Sequence, residues 1–475
     1  MIPIPAVNLR VSFRDPDGFV FRSGKRIYRC VYPHAAADLR AFLDSAFATA
    51  QMERGTLAGA TFLHNAPGPE LSAALPAGSA ILEHRGITFP NFPYEWAPEM
   101  LQRAAALTLR LAEEALAEGF GLKDATPYNI MFEGPAPVFL DVLSFERRDP
   151  LDSTWRPYAQ FVQTFLYPLL ANQYLGLQLD EILLTHREGL DPARLRRLCS
   201  FWLSVRPPFL WLATIPAWIS GLTENSSSDR YRARRAKDAG EARFLLQRVF
   251  ARAERFLRRI PRRRRSEASR YMDSGHKYAA AELALKEEVV KKALAGSGAH
   301  SVLDIGCNTG HFSLLAARLG ARVVAIDRDP AAVEELWNAA AERNADILPL
   351  VIDIARPPGA AGWANREHAS FLERARGRFD CVLMLALVHH LIVNERVPLD
   401  SLFELIAELT VRLAVIEYID PADAQFQRIL RGRDALHRDL TAESFEAAAG
   451  RHFRIVDIHN VTPTRRIYTL EKAGH

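Results

Sequence analysis

Two glycines and an acidic residue lie at a spacing that suits nucleoside binding. Gly306 and Gly310 stand in one short loop, and Asp327 ends a later apolar run. Gly306 would let the backbone turn tightly and approach a ligand, and Gly310 would let the following helix pack close to its sheet. The Asp327 carboxylate would accept hydrogen bonds from both hydroxyls of a ribose. An ordinary strand, turn and helix is the alternative interpretation.

The elements around this loop favour the nucleoside site. Residues 302–305 and 323–327 are apolar strands, and 312–319 form a helical run between them, which together predict a βαβ unit. Asn308 occupies the position of the middle glycine in a dinucleotide loop, and Asp304 sits at the end of the first strand. A carboxylate there repels a pyrophosphate and suits a ligand with a cationic amino-acid portion.

The stretch resembles motifs I and II of the class I S-adenosylmethionine-dependent methyltransferases. That resemblance implies a Rossmann-like, doubly wound sheet of seven strands, S-adenosylmethionine as cofactor and no metal. It also implies further cofactor contacts: Asp353 with the adenine amino group, Ile354 against the adenine ring, and Tyr278 on the leading helix 271–295. The whole-chain pattern is similar to bacterial methyltransferases known as host-specific nodulation proteins.

Strands and helices continue to alternate after Asp327, which predicts a parallel sheet with ligands at the carboxyl ends of its strands. The expected strands are 347–352, 381–387, 413–418, 453–458 and 466–470, and the expected helices are 331–343, 364–376 and 398–411.

Two adjacent histidines, His389 and His390, follow the fourth strand and are the candidate catalytic residues. Methyl transfer needs alignment of the reactants and, when the nucleophile is a hydroxyl, a base; an imidazole titrates near neutrality. A purely structural role for either histidine is the alternative. No Asn-Pro-Pro-Tyr motif is present, which argues against base N-methylation.

An insertion after Glu417 carries Arg428, Arg431 and Arg433. These cations suggest an anionic or sugar-like acceptor, and a basic surface helix is the alternative.

A second group of polar residues lies in the N-terminal half. Asp124 and Asn129 are five residues apart and Asp141 ends a later strand, which resembles the catalytic loop and metal-binding Asp of protein kinases. The resemblance covers about residues 1–228 and implies an ATP and magnesium site. Arg29 stands where a kinase carries its phosphate-pairing Lys, and no Gly-rich phosphate loop is visible. Loop-stabilising hydrogen bonds are the alternative role for the three residues.

Charge and hydropathy are unevenly distributed along the 475 residues. The net charge is +4, but residues 229–270 alone carry +11. An anionic partner is therefore expected to bind this segment first. The alternative is that the segment is a solvated helical linker between domains. Residues 151–222 are helical and aromatic, with Trp155, Trp202, Trp211 and Trp218 expected in a core. The apolar run 201–222 predicts a buried helical pair and no transmembrane segment, with a membrane-surface role left open.

The four cysteines are widely separated, which is typical of reduced thiols in a cytoplasmic protein.

The chain is therefore expected to be α/β, with a C-terminal methyltransferase domain (271–475) preceded by a basic helical linker (229–270) and an α+β protein-kinase-like domain (1–228). We expect O-methylation of a small-molecule or glycan-type acceptor, with the N-terminal domain as a scaffold or acceptor-binding module. A bifunctional kinase and methyltransferase, and a basic binding protein with a vestigial methyltransferase fold, are the alternatives.

Overall fold

The chain divides into two compact units in the computed structural model, which describes residues 15–24, 26–64, 75–222, 235–261, 280–430 and 440–474. The first unit contains residues 1–94, 98–132 and 136–263. The second contains the short segments 95–97 and 133–135 together with residues 264–475.

The first unit begins with an antiparallel sheet of order β1-β2-β4-β3. Phe19, Phe21, Tyr28 and Cys30 pack together on it, because alternate residues of a strand point to the same side. Two helices follow the first hairpin, and the second begins where the Ser45 side chain accepts a hydrogen bond from the Ala48 amide. The elements are β1 Gly18–Ser23, β2 Arg26–Val31, α1 Pro33–Leu43, α2 Ala46–Glu53, β3 Ala60–Phe62 and β4 Ala80–His84.

Helices dominate the remainder of the first unit. Two small antiparallel pairs, β5 with β8 and β6 with β7, interrupt them. The elements are α3 Pro98–Ala115, β5 Phe120–Leu122, β6 Ile130–Glu133, β7 Ala136–Phe139, β8 Phe145–Arg147, α4 Tyr158–Phe161, α5 Tyr167–Leu175, α6 Leu179–Leu183, α7 Pro192–Leu198, α8 Phe201–Ser204, α9 Ile215–Leu222 and α10 Ala239–Arg259.

The prediction that the tryptophans of this region form a core is wrong for three of the four. Trp155 is buried as expected, but Trp202, Trp211 and Trp218 are exposed, because the short helices that carry them are apolar on more than one face. The basic helix α10, which lies within the predicted linker, groups with the first unit. Its Phe250 packs against Trp155 with ring centroids 4.9 Å apart, so an apolar stripe fixes it while its arginines face outward.

The rest of the predicted linker, residues 229–234 and 262–270, lies outside the described residues together with both domain boundaries. No helix in the described part of the chain is long and apolar enough to span a bilayer.

The second unit is built on a seven-stranded sheet of order β11-β10-β9-β12-β13-β15-β14, in which only β15 runs antiparallel to its neighbours. The predicted Rossmann-like doubly wound sheet is confirmed. The strand order reverses between β9 and β12, so a crevice forms at their carboxyl ends.

The strands of the second unit are β9 Ser301–Ile305, β10 Arg322–Asp327, β11 Ile347–Val351, β12 Phe379–Met384, β13 Thr410–Ile419, β14 Phe453–Thr462 and β15 Arg465–Lys472. Its helices are α11 Ala280–Ser297, α12 His311–Arg318, α13 Pro330–Arg343, α14 Phe371–Ala375, α15 Val388–Val393, α16 Leu399–Leu409, α17 Ala424–Leu430 and α18 Ala442–Ala449.

Candidate cofactor-binding site

The loop between β9 and α12 is held against β10 by its own backbone. The amides of Gly306 and Cys307 both donate to the Ile326 carbonyl, at 2.8 and 3.1 Å. Gly306 has φ +76°, and a Cβ there would lie 3.0 Å from Leu387 Cδ2. Gly306 therefore has a left-handed backbone and lies so close to Leu387 that a side chain at this position would collide with it.

Asp327 lies at the carboxyl end of β10 with its carboxylate fixed by two backbone amides. The Asn308 amide donates to Oδ2 at 2.9 Å, and the Asp329 amide donates to Oδ1 at 2.9 Å. Burial raises the pKa of Asp327, and these two hydrogen bonds oppose that rise. Each carboxylate oxygen retains a further acceptor position for a ligand hydroxyl.

A cavity of about 200 Å³ opens beside Asp327, along the carboxyl ends of β9, β10, β11 and β12. It brings together six of the residues predicted for the site: Gly306, Asn308, Asp327, Asp353, Ile354 and His390. The other lining residues are Ile305, Ile326, Arg328, Ile352, Ala386, Leu387, Leu391, Asn394 and Glu395.

Asp304, Gly310 and His389 do not line this cavity. Asp304 is buried below the loop, where it accepts a hydrogen bond from Ser313 Oγ at 2.5 Å. Burial raises its pKa to about 6. Gly310 is the N-cap of α12 with φ +82°, and the space that its side chain would fill holds Leu336 of α13. These two residues support the loop from behind.

The last predicted cofactor contact, Tyr278, lies outside the described residues.

A charged group that sequence reasoning missed borders the cavity at Asp353. Arg356 pairs with Asp353 at 2.9 Å and with Glu395 at 3.0 Å, and Arg328 lies 3.9 Å from Glu395. Asn394 follows His390 by four residues, about one helical turn, and Glu395 comes next in the chain. The spacing of Asn394 places it beside His390, so it was the available signal.

The two histidines have different environments. His389 and His390 lie in helix α15, because β12 ends at Met384, earlier than predicted. His390 lines the cavity, and its Nδ1 is 3.3 Å from Asn394 Nδ2. Burial and then Arg328 lower the pKa of His390.

His389 is buried away from the cavity against Phe426, with ring centroids 6.0 Å apart. Burial lowers its pKa to about 3, and within the described residues its Nδ1 has no hydrogen-bond partner.

In the first unit, the structure brings Asn129 and Asp141 together through a shared serine. Asn129 Nδ2 donates to Ser144 Oγ at 3.0 Å, and Ser144 Oγ donates to Asp141 Oδ2 at 2.7 Å. Arg29 forms an ion pair with Asp141 Oδ1 at 2.7 Å.

Asp141 and its neighbour Asp124 both have altered pKa values. Burial alone would raise the pKa of Asp141, but the Arg29 cation and the Ser144 hydroxyl bring it below its ordinary value. Burial and then Asp141 raise the pKa of Asp124. Within the described residues, no cluster of three or more His, Cys, Asp or Glu side chains is placed to hold a metal ion.

The chain is similar in sequence to a methyltransferase family and to a nodulation protein. A family model for a methyltransferase domain matches residues 245–461. Nodulation protein NoeA of Rhizobium meliloti (strain 1021) is 30% identical over 472 residues, which cover 97% of this chain and 95% of NoeA.

Similar solved structures cover smaller shares of the chain. The bifunctional kinase-methyltransferase WbdD aligns with 42% of this chain and 40% of its own, at 17% identity and a TM-score of 0.29. Magnesium protoporphyrin IX methyltransferase of Synechocystis PCC 6803 with bound S-adenosylmethionine aligns with 42% of this chain and 86% of its own, at 16% identity and a TM-score of 0.30.

Proposed function

The chain belongs to the family of nodulation protein NoeA and is an S-adenosylmethionine-dependent methyltransferase, and we propose that it methylates a hydroxyl oxygen of a small-molecule or glycan-type acceptor. The observation that carries the proposal is a single cavity lined by Asp327, Asp353 and Ile354 at one end of the sheet, with His390 among the same lining residues.

The lining residues fit S-adenosylmethionine. The Asp327 carboxylate is already oriented by two backbone amides, so it can accept ribose hydroxyls without reorganising. Asp353 can accept from an exocyclic amino group, and the adjacent Ile354 offers an apolar surface to a purine. The bound cofactor supplies an electrophilic methyl group on a sulfonium.

His390 is the proposed base. Its lowered pKa keeps the imidazole neutral near pH 7, so its unprotonated nitrogen can take the hydroxyl proton. The oxygen would then bond to the methyl carbon as the bond from that carbon to the sulfonium breaks, which leaves a neutral thioether. His389 is the less suitable of the two, because its ring is buried away from the cavity.

The acceptor class rests on the insertion after β13. Asp423, just before α17, pairs with Arg465 at 2.8 Å, which anchors the helix to β15. Arg428 is exposed on α17, and cations there suit an anionic or sugar-like acceptor. Arg431 and Arg433 lie outside the described residues.

The proposal is tested with methyl-labelled cofactor and acceptor fractions of cell extract separated into glycans, small molecules, protein and RNA. We expect label in the glycan or small-molecule fraction, and a reduction of about 10²–10⁴-fold in His390→Ala, as for loss of a general base. The acid limb of the wild-type rate profile should lie below pH 6.5, the ordinary pKa of histidine, because that of His390 is lowered.

The matched control is His300→Ala, which removes an exposed histidine of the same unit outside the cavity. Label confined to RNA or protein, or full transfer by His390→Ala, would contradict the proposal.

For the first unit we propose a scaffold or acceptor-binding role in a cytoplasmic protein. The support is the Arg29–Asp141 ion pair, because it places a fixed cation on the carboxylate that phosphotransfer would need for magnesium. The described cysteines are free thiols, which suits a reducing compartment.

A further inference from the structure

Four aromatic side chains of the first unit are exposed on neighbouring helical segments. Phe201 and Trp202 on α8 are 72% and 75% exposed, Trp218 on α9 is 69% exposed, and Trp211 between them is 51% exposed. Thr214 Oγ1 donates to the Ser204 carbonyl at 2.7 Å, a hydrogen bond that links the segment carrying Trp211 to α8. An exposed apolar patch of this kind is typical of an interaction surface.

These aromatic side chains lie in an almost uncharged stretch. Arg206 is the only charged residue between positions 199 and 222. The patch can therefore enter an apolar phase without desolvating many charges.

An arginine groove adjoins the patch. Trp211 lines this groove of about 690 Å³ together with Arg248, Arg252, Arg255 and Arg259 of α10. Arg252 lies over the Phe256 ring at 5.6 Å, so its guanidinium is oriented by an aromatic face. No acidic side chain lines the groove within the described residues. Four cations without an acidic counterpart make it a site for closely spaced anions.

We propose that the aromatic patch and the arginine groove together dock the first unit on the surface of an anionic phospholipid bilayer. Tryptophan and phenylalanine side chains enter the boundary between headgroups and acyl chains, and arginines bind the phosphates beside them. RNA would use this surface less well. Phe201, Trp202 and Trp218 do not line the arginine groove, so a nucleotide whose phosphate binds the arginines could not also stack its base on these rings.

The proposal is tested by sedimenting the full chain, without S-adenosylmethionine, with vesicles of phosphatidylcholine and phosphatidylglycerol or of phosphatidylcholine alone. We expect binding to the anionic vesicles, weakened by salt. Arg252→Ala with Arg255→Ala should lower the partition coefficient about 25-fold, at about fivefold for each arginine. Trp202→Ala with Trp218→Ala should lower it about tenfold, because both side chains bury apolar surface.

Two controls remove equivalent side chains elsewhere. Arg258 is on α10 but pairs with Glu254, and Trp363 is 69% exposed in the second unit. Arg258→Ala and Trp363→Ala should bind vesicles like the wild type. Absence of vesicle binding by the wild type, equal losses in the controls, or displacement of the vesicles by polyuridylate RNA would overturn the proposal. Because no methyl transfer is measured, these results are independent of the proposed acceptor.

Discussion

Arg29 and Asp141 form a largely buried ion pair in the first unit, with side chains 8% and 20% exposed. Arg26, on the same strand, forms an ion pair with Glu83 at 3.3 Å in which its own side chain is 68% exposed. The two arginines therefore provide a matched test of whether the pair at Asp141 is structural.

We expect Arg29→Ala to lower the free energy of unfolding by about 3 kcal/mol, because it removes the ion-pair partner of Asp141 and of Asp15, which lies 3.4 Å from the same guanidinium. Arg26→Ala should change it by less than about 0.5 kcal/mol, since exposed pairs contribute little. Urea unfolding measures both. Magnesium and ATP should not raise the melting temperature of the wild type; a rise that disappears in Asp141→Ala would instead support phosphotransfer.

The place of a site residue could be predicted from the sequence where the topology of the sheet alone determines it. Asp327 and Asp353 follow strands, and parallel strands end at one edge of a sheet, so both were expected at one site. The burial of Asp304 could not be predicted, because it depends on the hydroxyl of Ser313, which lies in the next helix.

At the scale of elements, the loop between β9 and α12 depends on how closely α13 approaches it. A Cβ on Gly310 would lie 2.1 Å from Cδ1 of Leu336, whose side chain is fully buried. Gly320 also has a left-handed backbone, with φ +88°, but nothing lies within 4 Å of its Cβ position. The difference between the two glycines isolates the contact with α13 from backbone strain.

Gly320→Ala should lower the free energy of unfolding by about 1 kcal/mol, the cost of a left-handed backbone for alanine. Gly310→Ala should lower it by about 1–3 kcal/mol more, because Leu336 must move within a packed core. Denaturant midpoints give both values. Equal losses in the two variants would show that the loop does not depend on this contact.

Element type was predictable wherever periodicity was strong, as for β9, α12 and β10. The apolar pattern did not predict which side chains of residues 201–218 are exposed, because an apolar segment has the same pattern whether protein covers it or leaves it exposed. The structure leaves Trp202 and Trp218 uncovered, and nothing within those segments indicates that outcome.

At the scale of the whole molecule, the relationship to NoeA extends over both units, whereas the cavity beside Asp327 lies within the second. Cofactor affinity should therefore respond to substitutions around β9, β10 and β11, while vesicle binding should respond to those on α8, α9 and α10. The sequence alone indicated the cavity through the acidic residues at its strand ends. It indicated the arginine groove only through the positive charge of that segment.

We propose that the Asp327 carboxylate holds the cofactor. Calorimetric titration of the full chain with S-adenosylhomocysteine tests it in wild type, Asp327→Ala, Asp327→Asn and the control Asp346→Ala, whose exposed carboxylate pairs with Arg322 outside the cavity. Each hydrogen bond to a carboxylate contributes about 1.5–3 kcal/mol, so Asp327→Ala should raise Kd about 100-fold or more and Asp327→Asn by a smaller factor. Asp346→Ala should leave Kd unchanged. Equal affinity in wild type and Asp327→Ala would contradict the account.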